Sequence, residues 1–289
     1  MRPLARLCLV LTALLAPSAP AWAEVASFPA PVAGGREMSI YSSLDTDLAA
    51  PLIAAFQALH PDVAVRYENL LTTELHDRIM AETEAGGPTA DFAFSSAMDL
   101  QVKLANDGYA RAAVTPDTAE WPAWANWRDT AYALTFEPAV FAYHKPSFAG
   151  SAPPATRADL VRWIAEHPDQ AQGRVGTYDV ARSGVGYLFM ARDQELYPRI
   201  WTVIEAMGRA DVQQFPTSGE LLERIADGRL ALGYNLLGSY AAEWARQHPD
   251  VGLILPRDFT VVVSRVGLVP QAARAPDLGT AFLAYMMSP

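Results

Sequence analysis

From residue 38 onward the apolar positions switch repeatedly between a period of two and a period near 3.6. Met38-Ser39-Ile40-Tyr41 reads as a short strand that ends at Ser42-Ser43. Leu48, Leu52, Phe56 and Leu59 then recur on one helical face, and His60-Pro61 closes that helix. Val63 to Tyr67 alternates as a strand. The helix opened by Thr73 carries Leu75, Ile79 and Met80 and stops at Gly86-Gly87-Pro88. Ala90-Asp91-Phe92-Ala93-Phe94 is a buried-strand pattern that again ends in a serine pair, Ser95-Ser96, before a helix from Ala97 to Asn106. Short strand–helix units in this order predict a parallel sheet covered on both faces.

The rhythm breaks at an irregular segment holding Trp121, Trp124 and Trp127, followed by an apolar strand from Tyr132 to Tyr143. A second alternating set starts at Thr156, where Asp159 completes a capping-box pattern. It runs through the strand 174–178, helical stretches over 186–207 and the strand 212–215. A capped helix over 217–227, the strand 230–235 and a helix over 238–247 follow. Residues 251–255 and 259–269 are again strand-like, and a helix from Pro276 ends the chain. The predicted fold is α/β with two lobes: 37–135 as the first part of lobe 1, 136–254 as lobe 2, and 255–289 returning to lobe 1. The two apolar crossings, near 130–141 and 255–263, would form the hinge.

The N-terminus changes the picture by setting a compartment. Arg2 and Arg6 precede an apolar run from Leu7 to Leu15, and Ala21-Trp22-Ala23 supplies the small-x-small cleavage pattern. That run is too short to span a bilayer, so residues 1–23 read as a signal peptide cleaved before Glu24, with the mature chain in the periplasm. Cys8, the only cysteine, lies inside the part removed, which excludes disulfides and thiolate chemistry from the mature chain. Residues 24–36, rich in Pro, Ala and Gly, are expected to be a flexible linker. Loss of Arg2 and Arg6 takes the formal net charge from −10 to −12 with no basic cluster, which argues against nucleic acid as a partner.

Candidate chemistry sits where small hydroxyl residues meet helix starts. Tyr41-Ser42-Ser43, Phe94-Ser95-Ser96 and Arg182-Ser183-Gly184 fall at or near such starts, and in open α/β sheets ligands bind at the carboxyl ends of strands. Unpaired N–H groups and a partial positive charge there favour anions. Each serine alone also fits plain N-capping. His60, His167 and His248 precede prolines at helix ends, and His76 and His144 stand alone, so no metal site, cofactor or catalytic set is expected. Gly-x-Ser-x-Gly, Gly-x-Gly-x-x-Gly and His-Glu-x-x-His are all absent. Tyr234 and Tyr240 fit ligand contacts and interface aromatics equally well.

Four segments carry a family resemblance: 40–45 (Ile-Tyr-Ser-Ser-Leu-Asp), 91–100 (Asp-Phe-Ala-Phe-Ser-Ser-Ala-Met-Asp-Leu), 233–240 (Gly-Tyr-Asn-Leu-Leu-Gly-Ser-Tyr) and 256–260 (Pro-Arg-Asp-Phe-Thr). They resemble bacterial extracellular solute-binding proteins of ABC transporters, in the ferric-ion-binding cluster and most closely its phosphoglycerate-transport-like branch. The resemblance implies a two-lobed periplasmic-binding-protein (type II) fold with two hinge crossings. It also implies a ligand held in the cleft, hinge closure, and delivery to an inner-membrane permease by a monomer.

Ferric-binding members hold iron with a histidine in the first strand–helix loop, a glutamate after the third strand and adjacent tyrosines in the second lobe. This chain has Asp45, Ser96 and Leu236-Leu237 at those places. The remaining neutral donors suit a small anion such as an organophosphate or phosphonate. The expected contacts are Ser42, Ser43, Ser95 and Ser96 on one side and Ser183, Gly184, Tyr234 and Asn235 on the other, with Arg265 near the hinge and Arg182 as a further charged candidate. A metal-binding variant using Tyr234, Tyr240 and Asp45, and a ligand-sensing subunit for a membrane kinase, are the alternatives. Relatives usually continue past the position of Pro289, so the end of lobe 1 is expected to be incomplete.

Overall fold

The chain is described by a computed structural model covering residues 24–33 and 35–288. The apolar run, Cys8 and the cleavage pattern at 21–23 lie outside these residues.

The predicted strand–helix alternation builds the first lobe. Its elements are β1 (Glu24–Phe28), β2 (Arg36–Ser42), α1 (Thr46–Leu59), β3 (Val63–Asn69), α2 (Thr72–Glu84), β4 (Phe92–Ser95) and α3 (Met98–Asn106). A short α4 (Pro116–Ala119), β5 (Asn126–Trp127) and β6 (Ala131–Ala133) follow. β2, β3 and β4 pair in parallel, so their carboxyl ends lie along one edge of the lobe. The sheet order is β1-β3-β2-β4, then β13 (Val266–Leu268), β6 and β5. The last helix, α11 (Pro276–Met287), returns to this lobe, where Phe282 packs against Phe56 and Phe92 with ring centroids 5.0 and 5.1 Å apart.

Residues 24–28 depart from the flexible linker expected of 24–36. They form β1, antiparallel to β3 in the register Glu24↔Asn69 to Phe28↔Val65. Composition misleads here because a strand added to a sheet edge is held by main-chain hydrogen bonds, which any non-proline residue supplies. The buried Gln57 fastens its end by donating from Nε2 to the carbonyls of Phe28 and Pro29 at 3.2 and 3.1 Å.

The second lobe holds β7 (Glu137–His144), α5 (Arg157–Glu166), a short α6 (Pro168–Ala171), β8 (Val175–Tyr178), α7 (Gly184–Leu196), α8 (Ile200–Arg209) and β9 (Gln213–Phe215). It continues with α9 (Ser218–Ala226), β10 (Leu232–Leu237), α10 (Gly238–Gln247), β11 (Val251–Ile254) and β12 (Val262–Val263). The sheet order is β11-β7-β10-β8-β9, with β12 also on β7. Thr156 caps α5 by accepting the amide of Asp159 at 3.0 Å. Thr156→Ala is expected to destabilise the protein by about 1 kcal/mol, the usual worth of such a cap. Thermal unfolding should show it as a fall of roughly 2–4 °C.

The hinge is tighter than the sequence suggests. The first crossing is residues 134–136, between β6 and β7; the second is residues 264–265, between β12 and β13. Chain return is therefore at 264 and not at 255, because β11 and β12 still pair with β7 of lobe 2. The crossings are clipped to each other. Thr135 N donates to Ser264 Oγ at 3.1 Å, Arg265 N to Thr135 Oγ1 at 2.7 Å, and Leu134 N to the Arg265 carbonyl at 2.9 Å.

Candidate functional site

A cleft of about 420 Å³, open mouth included, lies between the lobes beside these crossings. Asp45, Leu71, Ser183, Thr217 and Leu237, the N-cap residues of α1, α2, α7, α9 and α10, all line it, and Ser96 lies just before α3. The first amides of a helix have no intrahelical partner, and the aligned peptide dipoles place partial positive charge at that end. Helices from both lobes therefore converge their positive ends on one small space.

Arg265 adds a full charge. Its side chain is 3% exposed; Nε pairs with Glu137 Oε1 at 3.0 Å and Nη1 donates to Ser43 Oγ at 3.2 Å. Nη2 is buried and has no hydrogen-bond partner among the described residues. Guanidinium donors withdrawn from water are rarely left unpaired, because the desolvation is then uncompensated. Glu137 is meanwhile satisfied by Arg265, by the Thr135 hydroxyl at 2.8 Å and by the Ser239 hydroxyl.

Hydroxyl orientations follow from what each oxygen already accepts. Ser43 Oγ accepts from Arg265 Nη1 and from the Ser96 amide at 3.1 Å, and lies 3.4 Å from Ser96 Oγ. With both acceptances made, the Ser43 proton goes to Ser96 and leaves the Ser96 proton for a ligand. Ser183 Oγ accepts from the Gly186 amide at 3.2 Å, so its proton is also free. The Tyr178 phenol, 2.5 Å from Ser218 Oγ, is pushed up to about 12 by burial, and burial likewise raises the Tyr240 phenol. Both remain neutral at physiological pH.

The lobes touch across the cleft. Gly184 N donates to Thr72 Oγ1 at 2.7 Å, Thr73 Oγ1 to the Arg182 carbonyl at 2.9 Å, and Asp45 N to Tyr240 Oη at 2.9 Å. The geometry is thus a closed one.

Of the sequence candidates, Ser43, Ser96, Ser183 and Arg265 line the cleft together. Ser42 and Ser95 do not; their hydroxyls accept the amides two residues on, of Leu44 and Ala97, at 3.1 and 3.3 Å. Gly184 contributes a lobe–lobe contact. The exposed Arg182 contributes its carbonyl, and its side chain is outside the lining. Tyr234 and Asn235 point into lobe 2. β10 shifts register between Gly233 and Leu236, with Asn235 at φ 57°, and this bulge turns both residues toward a buried ion cluster. There Tyr234 accepts from Arg157 Nε at 2.9 Å and donates to Asp193 at 2.6 Å, while Asn235 Nδ2 donates to Asp193 at 2.6 Å. Thr72, Tyr178, Thr217 and Ser218 line the cleft and were not singled out from the sequence. The first two flank strand–helix junctions, the signal that picked out the serines.

Residues 51–289 match the family described as bacterial extracellular solute-binding protein. The structure is similar to the substrate-binding protein of an ABC transporter from Agrobacterium tumefaciens, at 60% identity and a TM-score of 0.92, covering 93% of this chain and 80% of that one. It also shares its fold with AfuA from Actinobacillus pleuropneumoniae, a periplasmic binding protein with exogenous fructose-6-phosphate bound. That likeness is 17% identity and a TM-score of 0.77, covering 88% of this chain and 80% of that one. Iron-bound HitA from Pseudomonas aeruginosa is similar at 16% identity and a TM-score of 0.69, covering 87% and 81%. Among curated protein sequences nothing matches the chain.

Proposed function

This chain belongs to the bacterial extracellular solute-binding protein family, and from that premise we propose that it is the periplasmic receptor of an ABC importer for a small anion, an organophosphate or phosphonate. Membership makes it a binding protein and not an enzyme, and the cleft fits that role: most polar groups among its described lining residues are hydrogen-bond donors. The likeness to an ABC-transporter substrate-binding protein supports delivery to a membrane permease.

One observation carries the choice of an anion: the unpartnered buried Nη2 of Arg265, in a cleft onto which helix N-termini from both lobes converge. Cations would meet that guanidinium and those dipole ends unfavourably.

Ser96 gives the test. Ser96→Ala removes a donor to a charged group, worth about 1.5–3 kcal/mol, or roughly ten- to a hundredfold in Kd. Ser96→Glu places a carboxylate in the cleft and should abolish anion binding. Calorimetric titration of phosphate esters and phosphonates, beside ferric iron, decides the matter. An Ser96→Glu variant that binds its anion undiminished, or one that gains iron, ends the anion reading.

A further inference from the structure

Among the described residues that line the cleft, Asp45 alone carries a carboxylate. It stands at the N-cap of α1, where aspartate ordinarily accepts an amide of the first turn, yet its side chain makes no cap hydrogen bond. Thr156, Ser183 and Thr217, at the N-caps of α5, α7 and α9, all do. Its backbone N–H is taken by Tyr240 of the other lobe, so lobe closure encloses this carboxyl group.

The charge balance of the closed cleft is then specific. Arg265 shares its charge with Glu137, a buried partner at 3.0 Å, so with Asp45 the charged groups around the cleft sum to one excess negative charge, although Arg265 Nη2 still points a free donor at a ligand. A simple anion would be attracted by Arg265 and the helix ends and repelled by Asp45. A neutral hydroxyl on the ligand would give Asp45 a hydrogen bond without relieving the charge. An ammonium does both.

Resting on the anion reading of the cleft, we propose that the solute is a zwitterion, a phosphonate or phosphate ester with an ammonium group close to its anionic head, and that Asp45 holds that ammonium. Closure then acts as a check on chemistry: a ligand lacking the cation leaves the Asp45 carboxylate enclosed with hydrogen-bond donors but no ion partner in contact, which disfavours the closed form.

The groups facing Asp45 are Tyr240 from α10, Asn69 and Tyr67 from β3, Glu24 from β1 and Arg265 from the hinge. Burial is the largest influence on Asp45 and moves its pKa upward. Hydrogen bonds with Tyr240 and Asn69 and the charge of Arg265 oppose that shift, and Glu24 adds to it. The carboxylate that attracts an ammonium is present above this raised pKa. Preference for a zwitterion should thus be largest near neutral pH and fade as pH falls, starting above the ordinary aspartate value of about 3.9.

The experiment titrates aminoethylphosphonate, hydroxyethylphosphonate and propylphosphonate into the mature protein and into Asp45→Asn, at neutral and mildly acidic pH. The ammonium lowers the second phosphonate pKa of the amino compound, so the pH dependence assigned to Asp45 is the part of the ratio's change that the parent shows and Asp45→Asn does not. Aminoethylphosphonate should bind roughly ten- to a hundredfold more tightly than propylphosphonate at neutral pH. That ratio should shrink in acid and fall to near one in Asp45→Asn, while propylphosphonate binds the variant at least as well as the parent. Equal binding of the amino and hydroxy compounds, or a preference that survives in Asp45→Asn, overturns the proposal and leaves the anion reading standing. Failure of all three to bind overturns both.

Discussion

Gly184→Val is expected to weaken ligand binding roughly a hundredfold with little effect on the stability of the unliganded protein. A Cβ at this position would lie 2.8 Å from Leu100 Cδ1, 3.1 Å from Thr72 Oγ1 and 3.2 Å from Ala97 Cβ. All three contacts belong to lobe 1, whereas Gly184 opens α7 of lobe 2. The closest contacts of that Cβ are thus made across the cleft, and separating the lobes relieves them. Overpacking of this kind costs about 1–3 kcal/mol, or roughly five- to more than a hundredfold in Kd. Alanine should fall at the low end, since the leucine tip can move, and valine at the high end. Calorimetry gives the affinities, and small-angle scattering should show that ligand no longer contracts the valine variant. Parental binding by Gly184→Val would mean that the liganded state is not the closed geometry described above.

Arg265→Ala should damage folding and binding together, and a second substitution should separate them. Removing the guanidinium leaves Glu137 buried without its ion partner, a change that typically destabilises by about 3–5 kcal/mol. Arg265→Met combined with Glu137→Gln removes both charges. The amide still meets the hydroxyls of Thr135 and Ser239, so the double variant should recover much of the stability. It should not recover binding, because the donor at Nη2 is gone. Denaturant unfolding and calorimetry on the same preparations measure the two effects. A double variant that binds the parent's ligand normally would remove Arg265 from the site.

Much of this was legible in the sequence for definite reasons. Strand–helix alternation foretold both lobes, since buried parallel strands and amphipathic helices leave distinct periods. Arg265 was a candidate, with Arg182, because a guanidinium binds phosphate or carboxylate through paired donors, and of the two it is Arg265 whose side chain lines the cleft. The serine pairs were half legible. Successive residues in an extended chain face opposite ways, so only one of each pair can meet the cleft, and periodicity does not say which. In both pairs it is the second: Ser43 and Ser96 line the cleft, while Ser42 and Ser95 turn back on their own backbone. Tyr234 and Asn235 were misplaced because a bulge in β10 adds a residue and reverses the facing, which no hydrophobic pattern encodes. The hinge was placed too early on its return because β12 is a short strand whose only pairing, to β7, is long-range.

The strand β1 bears on how the protein behaves in bulk. With residues 24–28 in place, the outer edge of β3 is paired along Val65 to Asn69. A chain trimmed by those five residues would keep its cleft and hinge intact but present that row of N–H and C=O groups to solvent, next to alternating valines. With β1 in place the sheet edge is its own five-residue, mostly exposed strand; without it the edge is the seven-residue β3, whose Val63 and Val65 are buried, and longer apolar edges recruit strands from other molecules more readily. The loss would therefore register in soluble yield and in light scattering at high concentration. Tags and truncations belong upstream of Glu24, where they leave this small guard against self-association in place.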